Sequence, residues 1–196
     1  MEILKFCSIN KNMFSITSRR QMKINKLKEL KKYILKSFQE SGKKHLLITG
    51  SKKSGKTKFL KEILEEEDSV GGIITYPIRD EQIPPRYVLL SDLINPSLRG
   101  VIGVRNKECS SLIPLTGTFE VLGTCLLNKY LKSNIKIIVL DEIGFLENWA
   151  FEYQRAILNC LEEKKGILVI RKSLTPFIEE LLNRKDVYIL DIDNFK

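Results

Sequence analysis

Residues 50–57 read GSKKSGKT, set between HLLIT and KFLKEIL. Glycine, four residues, glycine, lysine and threonine is the spacing of a loop that wraps phosphate. Gly50 and Gly55 allow backbone angles that side chains forbid. The N–H groups of the loop, from Ser51 through Lys52, Lys53 and Ser54, can then face one concavity. A helix beginning near Gly55 adds the positive end of its dipole. Lys56 is placed to reach the β- and γ-phosphates, and Thr57 to offer its hydroxyl to Mg²⁺. The motif constrains the fold as tightly as the ligand, because it needs a strand before it and a helix after it. HLLIT and the Leu60, Ile63, Leu64 face of the following segment supply both.

Downstream, strand and helix patterns alternate. GGIITYPI (71–78), IKIIVLDEIG, GILVI and DVYILDI read as buried strands. Helices are expected from Thr116 or Thr118, acting as a cap, to about Lys132, from Trp149 to Glu163, and from Thr175 to Asn183. Residues 79–116 differ, with RYVLL and RGVIGV broken by PP, NP and RG turns, and predict an irregular hairpin insertion. Strands alternating with helices imply an α/β fold, a parallel sheet with right-handed crossovers and helices on both faces.

Ligands of such sheets bind at the carboxyl ends of the strands. IIVLDEIGFLE puts Asp141 at such an end, where it can meet the Mg²⁺ held by Thr57. Beside it, Glu142 is the candidate catalytic base, aimed at a water that attacks the γ-phosphate. Lys56 is the candidate for stabilising the phosphate charge. A small-molecule kinase is the rival, with Arg79, Arg86, Arg99 and Arg105 as a possible lid over nucleotide and acceptor. A GTP switch fits poorly: NRKD (183–186) has Arg184 where guanine recognition requires lysine, and it precedes a strand.

Charge divides the chain. Residues 1–44 hold 12 Lys or Arg against 3 Asp or Glu, whereas residues 45–196 hold 21 of each, so the whole net +9 precedes the phosphate loop. Two domains are expected: a basic extension over 1–44 and a catalytic domain over 45–196. In the extension, residues 1–20 suggest a hairpin or arm. Ile24, Leu27, Leu30, Ile34 and Phe38 mark an amphipathic helix from Gln21 to Glu40. Its lysines suit solvent, a nucleic acid or an acidic protein. No run is long enough for a membrane span and no leader is evident, so a cytoplasmic location is expected. Cys7, Cys109, Cys125 and Cys160 are widely spaced and read as free thiols.

ITGSKKSGKTKFL, GGIITYPIRDEQIPPRYVLL, FEVL, IIVLDEIGFLE and the closing ILVIRKSLTPFIEELLNRKDVYILDIDN resemble, in order, the THEP-type (cancer-related) nucleoside-triphosphatases over about residues 45–195. The resemblance implies a RecA-like P-loop core and slow, Mg²⁺-dependent hydrolysis of ATP, GTP or other NTPs. It also implies nucleotide-binding residues Gly50 to Thr57, a metal residue Asp141 and a base Glu142. It places arginines matching Arg79 and Arg86 near the nucleotide. The chain departs from the family where Ser51, Lys52, Lys53 and Ser54 replace the usual loop middle with its Pro-Gly pair, and where Lys58 follows the loop.

Arg171 and Lys172 end the GILVI strand on the ligand side, as candidates for γ-phosphate charge. Glu147 is expected to open the next helix, His45 to be structural, and Trp149, Phe151 and Tyr153 to serve as packing.

Overall fold

The computed structural model of the chain describes residues 29, 31–78, 86–106 and 111–195. It divides into two compact units between Ser41 and Gly42. In the first, residues 29 and 31–40 are helical. Ser41 closes the last turn, its N–H donating to Ser37 O at 3.0 Å and its hydroxyl to Phe38 O at 2.6 Å. The expected start of this helix and the arm of residues 1–20 lie outside the described residues, as do Cys7 and Cys109.

The second unit is built on one eight-stranded sheet. Its strands are β1 (His45–Thr49), β2 (Val70–Ile78), β3 (Tyr87–Asp92), β4 (Arg99–Arg105), β5 (Leu112–Pro114), β6 (Ile137–Ile143), β7 (Lys165–Ile170) and β8 (Val187–Asp191). The order is β5-β4-β3-β2-β6-β7-β1-β8. Strands β2, β6, β7, β1 and β8 run parallel. Strands β3, β4 and β5 add antiparallel neighbours beyond β2. The expected hairpin insertion, irregular where the β3–β4 register shifts between Val88 and Leu89, is therefore a continuation of the main sheet. Its cause is local: β2 and β3 follow one another closely and pair from Ile78↔Tyr87 to Ile73↔Asp92, which a short connection permits only in the antiparallel sense.

Side-chain alternation gives the sheet two buried faces. Leu47, Ile138, Leu140, Leu168 and Ile170 join one core, together with helices α3 (Thr124–Leu131), α4 (Phe151–Glu163) and α5 (Pro176–Leu182). Leu46, Ile48, Val139, Ile167 and Val169 are equally buried but point the other way. Helix α1 (Lys56–Leu64) packs there on β1 and β7 through Phe59, Leu60 and Ile63. Each fully buried aliphatic side chain is worth ~1.5–3 kcal/mol, so β1, β6 and β7 form the stable floor beneath the loops.

One helix cap and one helix start differ from the sequence expectation. Neither Thr116 nor Thr118 makes a side-chain cap hydrogen bond to these turns: Leu115 stands at the N-cap of α2 (Thr116–Thr118), and a π-turn, Phe119–Gly123, carries the chain into α3. Helix α4 begins at Phe151, not Trp149, because residues 144–150 form a turn of their own. Thr175 does cap α5, its hydroxyl accepting the Ile178 N–H at 3.3 Å, with Pro176 at the first helical position. Among the described residues no helix is long and apolar enough to cross a membrane. Cys125 and Cys160 are free thiols.

Candidate active site

The loop GSKKSGKT leaves the carboxyl end of β1 and enters α1. Gly50 has φ 149°, Lys53 φ 64° and Gly55 φ 103°, values that side-chain-bearing residues adopt at a cost. The two glycines let the loop turn back over the helix N-terminus. Lys56 is buried, and its ammonium donates to Gly50 O at 3.0 Å and Ser51 O at 3.1 Å. The lysine thus spans the concavity that the backbone encloses.

Thr57, the next residue, donates its hydroxyl to Asp141 Oδ1 at 3.3 Å. Asp141 ends the buried run of β6 and is itself 5% exposed. Burial is the main cause that pushes its carboxyl up to about 6, with the Glu142 charge adding and the Thr57 hydrogen bond and Lys56 opposing. Such a carboxylate has more to gain from a cation than an exposed one. Glu142 follows, its N–H donating to Thr75 Oγ1 on β2 at 3.0 Å. Its side chain shares a depression of about 220 Å³ with Lys53, Ser54, Gly55, Lys56, Thr57 and Lys58.

Strand β7 lies between β1 and β6, so its carboxyl end stands between the loop and the two carboxylates. There Arg171 donates from Nε to Glu142 Oε1 at 2.5 Å and lays its guanidinium over the Phe145 ring, 5.9 Å from the centroid. Lys172 turns elsewhere, pairing with Asp191 Oδ2 at 2.6 Å and Asp193 Oδ2 at 3.0 Å.

The family model described as NTPase matches residues 45–196. The chain belongs to this THEP-type NTPase family. Curated relatives from Thermotoga sp. (strain RQ2) and Thermotoga maritima, both named nucleoside-triphosphatase THEP1, are 26% identical over 160 residues, which is 76% of this chain and 86% of each relative. The crystal structure of THEP1 from the hyperthermophile Aquifex aeolicus superposes with a TM-score of 0.60 at 19% identity, covering 76% of this chain and 89% of that one. That likeness shows the shared P-loop fold. Family membership makes this chain an NTPase.

Arg79 lies outside the described residues. Arg86 is exposed before β3, with its guanidinium 5.2 Å from the Tyr87 ring centroid. Tyr87 is level with Ile78, four residues past Ile74, the partner of Asp141. At ~3.3 Å per residue that row is roughly 13 Å beyond Asp141. Arg99 and Arg105 sit at the ends of β4, within the sheet.

Two features escaped the sequence expectation. Glu147 does not open a helix. It is 3% exposed in the turn after β6, and its carboxylate accepts the buried Gly144 N–H. Burial pushes its carboxyl up to about 7. The Gln154 amide caps the same turn by donating to Glu147 O at 2.8 Å and Asn148 O at 3.2 Å. Trp149 and Phe151 are not packing residues: both are about two-thirds exposed and meet edge to face at 6.2 Å, and only Tyr153 is buried, against Phe119. The second feature is the carboxylate of Asp193, which accepts from Ser51 N at 2.6 Å and Ser51 Oγ at 2.9 Å. No spacing rule links residues this far apart; only the β1–β8 pairing, with Thr49 level with Asp191, brings them together.

Proposed function

We propose that this NTPase hydrolyses ATP, GTP or related triphosphates with Mg²⁺, and that Glu142 is the general base. The observation that carries this reading is the common depression holding Glu142 and the loop residues Lys53 to Lys58. A γ-phosphate held by the loop's N–H groups, Lys56 and the α1 N-terminus meets the Glu142 carboxylate that lines the same depression. Glu142 accepts the proton of the attacking water, a role that needs a carboxylate within hydrogen-bond reach. Lys56, anchored to the Gly50 and Ser51 carbonyls, directs the remaining N–H of its ammonium to phosphate oxygens and stabilises their charge.

Thr57 and Asp141 fit Mg²⁺. They offer a hydroxyl and one carboxylate as hard oxygen donors, and this ion is typically held by one or two carboxylates plus substrate phosphates. Asp141, buried with a raised pKa, is the kind of group a cation relieves. When bound, the ion neutralises phosphate charge.

Phosphate release from ATP and GTP, measured with and without small alcohol, nucleoside and nucleotide acceptors, tests the reading. Release that needs no acceptor is expected. ADP formation that appears only when an acceptor is added would replace hydrolysis by the kinase reading.

A further inference from the structure

Ser51 occupies an unusual position in its own loop. Its N–H and hydroxyl both donate to one carboxylate, Asp193, while its carbonyl accepts from Lys56 Nζ at 3.1 Å. The carboxylate belongs to the 3₁₀ turn Ile192–Phe195 that follows β8. This turn is itself braced. Asp193 N–H donates to Asp191 Oδ1 at 3.0 Å, and Lys172 bridges both carboxylates from the end of β7. Three strands that flank or carry the loop thus converge on one side chain.

We infer that Asp193 is a positioning residue for the nucleotide: through Ser51 it holds the phosphate loop and Lys56 in their binding form before the triphosphate arrives. The inference rests on the phosphate-loop function proposed above. The chemistry is that of preorganisation. A loop of small and flexible residues, Ser51-Lys52-Lys53-Ser54, has many conformations to lose when it binds phosphate. Two hydrogen bonds to an ionised carboxylate are stronger than neutral ones, and they order the first residue of the loop in advance. The orientation of the Ser51 peptide follows, and with it the carbonyl that receives Lys56. The side of the loop matters too. Asp141 and Glu142 stand on β6, beyond β7, whereas Asp193 follows β8 on the other side of β1. The clasp therefore acts on the loop from the flank opposite the attacking water. Lys172 offsets part of the negative charge that two carboxylates would otherwise present to an incoming triphosphate.

A preorganising clasp affects binding more than turnover, because a bound triphosphate orders the loop by itself. Steady-state phosphate release by the full chain, with Asp193→Ala, Asp193→Asn and Ser51→Ala, separates the two. Asp193→Ala is expected to raise KM by about tenfold with kcat within about twofold of the parent. Asp193→Asn, which keeps an acceptor oxygen, should fall between parent and alanine variant, and Ser51→Ala, which keeps the N–H, should show the smallest rise. An Asp193→Ala chain whose melting temperature falls while KM stays at the parent value would overturn the inference, leaving the contact purely structural. Should Asp193→Ala fail to fold, an unchanged KM in both Asp193→Asn and Ser51→Ala overturns it equally. Failure of the underlying hydrolase reading looks different: the parent chain itself would release no phosphate.

Discussion

Arg171 Nε and Glu142 Oε1 are 2.5 Å apart, joining the carboxyl ends of β7 and β6 directly beside the phosphate loop. The pair fixes the direction of the Glu142 carboxylate, and the Phe145 ring in turn supports the guanidinium. Arg171→Ala releases that carboxylate to other rotamers. The expected result is a fall of roughly tenfold in kcat with a smaller change in KM, as for a lost orienting group. Arg171→Lys, lacking the planar fork, should recover only part of the loss. Turnover equal to the parent in Arg171→Ala would show that Glu142 needs no orientation.

The buried turn after β6 gives a second pair of variants. Glu147→Ala removes the acceptor of the buried Gly144 N–H, a loss of about 1–3 kcal/mol, and it loosens the segment that starts at Glu142. Glu147→Gln keeps an acceptor oxygen. Its folded-state carboxyl lies near 7 rather than the ordinary 4.5. The folded state therefore binds the extra proton more readily. The stability this gives is full below about 4.5 and is lost as pH rises through about 7. Relative to the parent, Glu147→Gln should accordingly be more stable at pH 8 than at pH 5, by thermal melting. A pH-independent difference would contradict it.

His45 gives the opposite slope. It is fully buried, its Nδ1 accepts the Gly166 N–H at 2.9 Å, and its Nε2 lies 3.2 Å from Asp186 Oδ2. Burial, the largest cause, lowers its pKa from 6.5, with Asp186 opposing. The unfolded chain then binds a proton that the folded one resists, so stability is present above 6.5 and is lost as pH falls below it. Melting temperatures from pH 7.5 to 5.5 should drop more steeply for the parent than for His45→Gln, which can serve both partners without titrating. Parallel slopes would remove His45 from the acid response.

Much of this molecule was legible because its signals are local. The loop glycines, the apolar run into Asp141 and Glu142, and the Thr175-Pro176 helix start each lie within one short stretch, where spacing and chemistry coincide. What stayed hidden depends on tertiary pairing. The sheet's antiparallel wing follows from β2–β3 register, and the Asp193–Ser51 clasp from β1–β8 register. Glu147 looked like a helix opener because a carboxylate ahead of an aromatic-rich helix favours the dipole. Its burial comes from a turn that folds back on Gly144. Trp149 and Phe151 followed from the same displaced helix start, which carries both rings to the surface.

The central claim is that Glu142 draws the proton from the attacking water. Single-turnover phosphate release by Glu142→Gln, alongside nucleotide binding by the same variant, tests it most directly. Release is expected to fall by roughly 10²–10⁴, while triphosphate binding through the loop and Lys56 persists. A Glu142→Gln chain that binds nucleotide and releases phosphate at the parent rate would contradict the assignment.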